Sequence, residues 1–255
     1  MFQAIYKNVF KAGVLAGCVI GFFTSCKKQM PPEIFPSSLT IVNAVNDNSS
    51  FLTVYYGETQ PKIYALLSFI KNGDYYDFVT GKTSQPITVY RNNDTLHTSS
   101  PFVKNRLDLE PGGIYTHFIY GSPAKPLQKT IKEQLPARSL NDSVAHLRIA
   151  NFFDNRSIDV IQLEPVPGTM VSNLAYEQIS GFIKVPVTRS VQNFRFEIKD
   201  HATGETLTTL TETNLYPGTV VPNVAWLFKA RTMLVKGTWT GPGNFAANAT
   251  TVGHY

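Results

Sequence analysis

Apolar and polar residues alternate along short segments of the chain. Between positions 194 and 199, three apolar residues alternate with three charged residues in the order FRFEIK, and a turn segment, DHATG, leads into a Thr-rich segment. Strict alternation on both sides of a glycine turn predicts a β-hairpin, because successive side chains of a strand point to opposite faces. The segment 86–98, PITVYRNNDTLHT, predicts a second hairpin with Ile87 and Val89 inward and its turn at 92–94.

The rest of the chain shows little helical periodicity. The nearest candidate, QKTIKEQL at 128–135, fits an edge strand as well as a helix. Turn sequences recur about every 8 to 12 residues, and an L-x-P-G segment stands at 109–112 and again at 215–218. Short strands at this spacing indicate Ig-like β-sandwiches.

The chain repeats itself at an offset of 108 residues. Eight identical pairs fall in the 42 positions from 39 to 80, where average composition would give roughly two or three. The pairs are Leu39/Leu147, Ile41/Ile149, Asn43/Asn151, Ser49/Ser157, Leu66/Leu174, Gly73/Gly181, Val79/Val187 and Thr80/Thr188. This unit is too long for a solenoid repeat. We therefore predict an all-β chain of two tandem Ig-like antiparallel β-sandwich domains, 38–137 and 144–255, joined by a linker at 138–143.

The second repeat carries a further set of motifs. It opens with SVAHLRIANFFDNRSIDVIQ and continues with NLAYEQISGFIKVP and an LYPG turn. The Asp159-Val160 pair and the segments 174–176 and 180–181 resemble domain-of-unknown-function family 4397, and the first repeat resembles it more loosely. These are turn and core residues, so the resemblance implies an Ig-like fold and no chemistry. Domains of that family occur in exported and surface-anchored bacterial proteins.

The first 25 residues have the layout of a secretory signal peptide. Lys7 and Lys11 are followed by fourteen uncharged residues at 12–25, fewer than the roughly 18 that a membrane-spanning helix needs. The junction before Cys26 resembles a bacterial lipobox, with Phe23 where leucine is usual. The SCKK sequence resembles lipoproteins of the Bacteroidota.

Cysteine usage supports a lipid anchor at Cys26. The other cysteine, Cys18, would leave with the signal peptide, and a lone cysteine in an exported protein needs an explanation. We interpret Cys26 as an acylated N-terminus that binds the lipid bilayer, followed by a Pro-rich tether at 26–37. The alternative is an ordinary signal peptide with a chance cysteine. We predict a cell-envelope location at the outer membrane, with the periplasmic and surface-facing orientations both open.

The charge balance argues against nucleic acid as a partner. The whole chain has 23 Lys and Arg against 18 Asp and Glu, and residues 1–25 contain two lysines and no acid, which leaves 21 against 18 after cleavage. A net charge of +3 without a basic cluster does not suit a phosphate backbone.

No segment carries a complete catalytic, cofactor or metal motif. Residues 241–246 fit the glycine spacing of a dinucleotide loop, but only nine residues follow and Pro242 removes an amide. The five histidines lack ligand spacing. We therefore predict no catalytic residue, cofactor or metal, and a protein that is not an enzyme.

Acidic residues near turns offer two weaker possibilities for chemistry. Pairs of carboxylates could form an acid–base couple, and Asp-rich turns could bind calcium. We interpret both as solvated turn residues and as Asx or Ser/Thr turns. The pairs are Asp74/Asp77 and Asp108/Glu110, and the turns are 45–50 and 153–159.

Tyrosine is concentrated in the first domain, which holds eight of the twelve. Neighbours in a strand face opposite ways, so one ring of Tyr55-Tyr56 and one of Tyr75-Tyr76 should face outward and could contact a protein or a glycan. Ordinary strand preference is the alternative. We predict a non-enzymatic, lipid-anchored envelope protein that binds or spaces an unknown glycan or envelope protein. An accessory glycan-binding or adhesion subunit of a polysaccharide-uptake system is the second hypothesis.

Overall fold

The computed structural model describes residues 35–47, 51–58, 68–91, 100–138, 141–213, 215–216 and 226–254. The chain divides into two compact units, Met1–Ile34 and Phe35–Tyr255, and every described residue belongs to the second. The predicted signal peptide and Cys26 lie outside the described residues, as does most of the predicted tether.

The described residues form sixteen β-strands and no helix. The strands are β1 (Ser37–Val45), β2 (Leu52–Tyr55), β3 (Ser68–Ile70), β4 (Tyr75–Thr80), β5 (Ser84–Arg91), β6 (Val103–Asp108), β7 (Ile114–Ser122), β8 (Lys125–Lys132), β9 (Val144–Phe153), β10 (Ile158–Glu164), β11 (Gly168–Leu174), β12 (Ile183–Pro186), β13 (Phe194–Asp200), β14 (Thr206–Glu212), β15 (Ala230–Gly241) and β16 (Asn244–His254).

These strands form four sheets, which we name A to D. Sheet A has the order β4-β1-β7-β8, sheet B β3-β2-β5-β6, sheet C β12-β9-β15-β16 and sheet D β11-β10-β13-β14. Adding eight to each strand number converts A into C and B into D, so the two halves share one topology. Sheets A and B form sandwich 1, and sheets C and D form sandwich 2. The predicted fold class, two tandem Ig-like β-sandwiches, is confirmed.

The structure corrects several local expectations. The β1–β7 and β9–β15 pairs run parallel, so sheets A and C are mixed rather than purely antiparallel. Ser37, assigned above to the tether, begins β1 and is buried, and its hydroxyl donates to the carbonyl of Glu110 at 2.6 Å. The hairpin at 194–212 is confirmed. The return strand of β5 is β6, and the predicted turn at 92–94 lies outside the described residues.

Each sandwich has its own core between its two sheets. Alternate residues of β1, such as Leu39 and Ile41, pack against sheet B. Leu147 and Ile149 of β9 occupy the equivalent places against sheet D. These residues match the period-two pattern of a strand with one face on a core.

Buried asparagines mark the repeat most clearly. Asn43 and Asn151 both lie on the core side of their strands, and each side-chain oxygen accepts from the backbone N–H two residues on, of Val45 or Phe153. Their amide groups donate to the equivalent carbonyls of Ile70 and Leu174. Buried polar side chains need such partners, so one hydrogen-bonding device fixes the same corner in both copies.

The 108-residue offset holds for β1 and β9 but not for the strands that follow. The N–H of Gly73 donates to Asn43, and the N–H of Glu177 donates to Asn151. Glu177, with φ 64°, is therefore the counterpart of Gly73, with φ 78°. The sequence alignment with Gly181 was wrong by four residues, because the connections differ in length.

A third core lies between sheets A and C. The outward residues of β1 and β7 pack against those of β9 and β15 rather than facing water. The layers therefore run B, A, C, D. Equivalent positions supply the contact from both copies, as in a two-fold dimer interface. The buried members are Val42, Ala44, Phe118, Tyr120, Ala150, Phe152, Leu234 and Val252.

Candidate functional site

An aromatic cluster lies where sheets A and B meet beside β3 and β4. We call Tyr56, Tyr76 and Phe78 the aromatic seam. Tyr56 follows β2 in sheet B, whereas Tyr76 and Phe78 lie on β4, opposite the core residues Ile41 and Leu39 of sheet A. The rings of Tyr56 and Phe78 stack with centroids 3.7 Å apart at an angle of 8°. The Tyr76 ring lies 6.4 Å from that of Tyr56.

The seam reaches solvent through Tyr76, which is 44% exposed. Tyr56 and Phe78 are half-buried and pack against the core of sandwich 1. Burial raises the pKa of the Tyr56 phenol, an effect that the neighbouring Ser68 opposes, so this phenol is neutral at physiological pH. Tyr76 therefore exposes a large amphipathic ring beside Tyr56 and Phe78, whose rings are held in place by packing against the core.

The four tyrosines predicted from the sequence separate into two groups. Tyr56 and Tyr76 belong to the seam. Tyr55 is only 2% exposed, and its ring meets Tyr90 edge-on at 5.6 Å, so it is not a contact residue. Tyr75 packs partly against the core between sheets A and C.

Phe78 was not selected from the sequence, although a signal was available. It stands two residues after Tyr76 in YYDFVT, and alternate residues of a strand share a face. The same alternation separates Asp77 from the seam. Its carboxylate faces the other way and accepts from the Thr40 hydroxyl at 2.6 Å.

Sandwich 2 has no aromatic seam among its described residues. Strand pairing places Gln162, Ser180 and Ile183 where sandwich 1 has Tyr56, Tyr76 and Phe78. The two sandwiches share one topology, so this fold does not require aromatic rings there.

A buried ion pair lies beside the third core. Arg148 donates to both oxygens of Glu133, at 2.6 and 2.7 Å, and their side chains are 7% and 0% exposed. Thr116 also donates to Glu133, and Arg148 to Thr232. Both oxygens of the Glu133 carboxylate accept hydrogen bonds from protein side chains. The cluster therefore joins the two sandwiches and leaves no carboxylate oxygen available for chemistry.

A second polar cluster contains the residue types of a hydrolytic triad. Ser172 donates to Asp159 at 2.9 Å, and Nδ1 of His201 lies 2.9 Å from the same carboxylate. The serine hydroxyl therefore contacts the carboxylate and not the imidazole. A nucleophilic serine requires the opposite order, with the base on its hydroxyl. The cluster ties β11 to β10.

The acidic residues singled out from the sequence do not converge. Asp74 accepts from the N–H of Tyr75 at 2.8 Å, and Glu110 pairs with Lys132 at 2.5 Å. Asp47 pairs with Arg91 at 2.7 Å. Over the described ranges, no group of three or more metal-ligating side chains comes together. His97 lies outside those ranges.

No family model and no curated protein matches the chain. Similar solved structures include the fimbrial anchor protein Mfa2 from Porphyromonas gingivalis, 6% identical over 86% of this chain and 98% of that chain, with a TM-score of 0.28. Family 41 carbohydrate-binding modules from streptococcal virulence factors are 13% identical over 78% of this chain and 93% of that chain, with a TM-score of 0.25.

The tip fimbrial protein Mfa3 from Porphyromonas gingivalis is 9% identical over 86% of this chain and 99% of that chain, with a TM-score of 0.21. Similarities this weak establish no shared function, and the resemblance to family 4397 stays a prediction. In the part of the chain that the structure describes, no helix is long and apolar enough to cross a membrane.

Proposed function

We propose that the protein is a non-enzymatic, lipid-anchored binding module of the cell envelope that contacts its partner through the aromatic seam. The observation that carries this is the difference between the sandwiches. Tyr76 exposes its ring on β4, while the equivalent place in sandwich 2 holds Ser180. An exposed ring that the fold does not need is well suited to recognition.

The use of the described titratable groups supports a non-enzymatic role. Glu133 and Arg148 form a buried ion pair, and the Asp159 carboxylate is hydrogen-bonded to both Ser172 and His201. A nucleophile or general base must keep a reactive atom available to substrate. These clusters instead hold strands and sheets together.

The binding surface is tested with the full chain carrying Cys26→Ala, which removes the proposed anchor. Labelled protein is titrated onto a cell-envelope fraction from a strain of the source bacterium that lacks this protein. We expect saturable binding that Tyr76→Ser weakens at least tenfold. Val166→Ser, which changes an exposed apolar residue of sandwich 2, is the matched control and should bind normally. Equal binding by both variants would contradict the proposal.

The lipid anchor is tested separately, since it rests on the sequence around Cys26. Cells fed labelled palmitate should label the wild-type protein and not the Cys26→Ala variant, which should also leave the membrane fraction. Label retained by the variant would show that Cys26 is not the acylated residue. Protease treatment of intact cells then distinguishes the two membrane faces.

A glycan partner is the second candidate function. It is favoured by the exposed Tyr76 ring, since sugar rings stack on aromatic faces. An array of soluble oligosaccharides would test it. Specific binding that Tyr76→Ala abolishes would select the glycan over a protein partner.

A further inference from the structure

Among the described residues, one edge of the strand that carries the seam has no partner strand. Asn43 of β1 exchanges backbone hydrogen bonds with Gly73 and Asp74 at 2.8 and 3.0 Å. Backbone groups of successive strand residues point to opposite sides. Tyr76 and Phe78 therefore bond to β1, and Asp77 and Val79 direct their N–H and C=O groups away from it. Across the described ranges β4 pairs with β1 only.

Of the usual forms of protection against pairing, this edge has a single charged side chain, Asp77. Natural edges are blunted by short length, lysine or proline. β4 has six residues with neither lysine nor proline, and it exposes Tyr76 and Val79, which is 62% exposed. Free polar groups bordered by apolar side chains form a template for another strand.

The equivalent edge in sandwich 2 is protected in each of these ways. β12 has four residues, carries Lys184 at the place of Val79, and ends at Pro186. The other edges of sandwich 1 are also blunted: β8 contains three lysines and a proline, β6 contains Lys104 and Arg106, and β3 has three residues. The edge strands β11, β14 and β16 of sandwich 2 contain neither lysine nor proline, but none of them exposes a large apolar side chain as β4 does. The open edge of β4 is therefore not a consequence of the fold.

We propose that β4 binds an extended peptide segment of a partner protein, which adds to sheet A as a fifth strand. This deepens the proposed function and rests on it. The main chain of the peptide would bond to Asp77 and Val79. Apolar side chains on one face would meet Tyr76 and Phe78, and a Lys or Arg on the other face would pair with Asp77, the one charge on β4.

A second copy of the chain fits this edge less well. Antiparallel pairing of two β4 strands through their outward residues puts Asp77 opposite Val79 or opposite the other Asp77. No basic side chain meets Asp77 in either register, and in the second register two carboxylates lie directly opposite each other. Like charges in that position are destabilising. Charge complementarity therefore favours a basic peptide of another protein.

The test uses a phage-displayed library of random twelve-residue peptides, panned against the full chain carrying Cys26→Ala. We expect enrichment of alternating apolar sequences with a Lys or Arg. A synthetic copy of an enriched peptide should bind at least tenfold more weakly to Val79→Pro, which removes an outward N–H. It should bind Val79→Thr, which keeps that N–H, within twofold. Hydrogen exchange at the Asp77 and Val79 amides should slow at least tenfold in the complex.

The outcomes distinguish strand addition at β4 from the proposed function of envelope binding through the seam. If no peptide is enriched, if peptides bind Val79→Pro normally, or if the two amides stay unprotected, strand addition is wrong. Envelope binding that Tyr76→Ser weakens and Val79→Pro leaves unchanged would keep the proposed function and overturn strand addition. Envelope binding that neither variant weakens overturns both. Self-association that Val79→Pro abolishes would identify a second copy as the occupant and overturn the peptide.

Discussion

β4 and β12 occupy the same place in two copies of one topology, yet they present different surfaces. β4 exposes Tyr76 and Val79, whereas β12 is short and carries Lys184 and Pro186. Among the four residues of β12, only Ile183 is apolar at a position that is also apolar in β4, where Phe78 occupies it. The fold requires an apolar side chain at that position. The other differences between β4 and β12 indicate that sandwich 1 uses this strand to bind a partner.

The inner halves of the sandwiches differ less, because they pack against each other. Equivalent positions of β1 and β9 supply the core between sheets A and C. Polar positions at its border have diverged. Thr40 of β1 binds Asp77, whereas its counterpart Arg148 is stacked 4.7 Å over Phe182 and paired with Glu133.

The largest effect is expected at this divergent position. Arg148→Met should cost about 3–5 kcal/mol of unfolding free energy, because it leaves Glu133 buried without a counter-charge. Thr40→Val, at the equivalent place in sandwich 1, should cost about 1 kcal/mol, the value of one hydrogen bond. Denaturant unfolding measures both.

The double variant Glu133→Gln with Arg148→Met is the control for this cost. It removes the uncompensated carboxylate and should recover part of the loss. Equal costs for Arg148→Met and Thr40→Val would mean that the ion pair does not join the sandwiches.

A second prediction concerns an ion pair whose signs are reversed between the copies. Arg91 ends β5 and binds Asp47, while Asp200 at the equivalent end of β13 binds Arg156 at 2.6 Å. Arg156→Asp should destabilise sandwich 2 by about 3 kcal/mol, because Asp200 is fully buried.

The sign-reversed double variant, Arg156→Asp with Asp200→Arg, recreates the arrangement of sandwich 1. It should recover at least half of the stability lost in the single variant, measured by denaturant unfolding. Recovery is expected to be incomplete, because Asp200 also accepts from the Thr203 hydroxyl at 2.8 Å. A double variant no better than the single one would show that the two corners are not equivalent.

A third prediction uses one buried histidine from each sandwich. Burial is the main cause that lowers the pKa of His117 and of His254 to about 4. Between pH 6.5 and 4 the unfolded chain binds protons that the folded chain does not, so stability falls with acidification across that window and levels off below it. The loss at pH 4.5 should be on the order of 2 kcal/mol for each histidine.

Thermal midpoints from pH 7 to 4.5 measure this loss, and His117→Gln should reduce it. Asp200, whose pKa the hydrogen bond from Arg156 lowers to about 2, loses its contribution mainly below about pH 4, where the aspartate of the unfolded chain becomes protonated. A midpoint independent of pH in the His117→Gln protein would assign the whole effect to sandwich 1.

The sequence was most informative where one face of a strand meets the core. Alternation predicted β13 and β14, and the repeat predicted two copies of one fold. The same rule predicted that one ring of Tyr75-Tyr76 faces outward, and Tyr76 does. It failed for the Tyr55-Tyr56 pair, because nothing in the local pattern indicates that both faces of sheet B are covered there.

Long-range contacts were beyond the sequence. Glu133 and Arg148 are fifteen residues apart, with no local pattern that links them. The core between sheets A and C did have a signal: runs such as TIVNAV and RIANFF are apolar on both faces, as in strands covered on two sides. The connections between strands differ in length in the two copies. A fixed offset of 108 residues therefore aligned Gly73 with Gly181, although its structural counterpart is Glu177.

The most direct measurement replaces the two seam residues on β4, Tyr76 and Phe78, with their counterparts in sandwich 2. A full chain carrying Cys26→Ala, Tyr76→Ser and Phe78→Ile is compared with the Cys26→Ala chain for thermal midpoint and for binding to the envelope fraction. Exposed positions tolerate change, and volume-reducing change at half-buried Phe78 has a limited cost. We predict a cooperatively folded protein whose binding is at least tenfold weaker. Unchanged binding by a folded variant would contradict the claim that the seam is the contact surface.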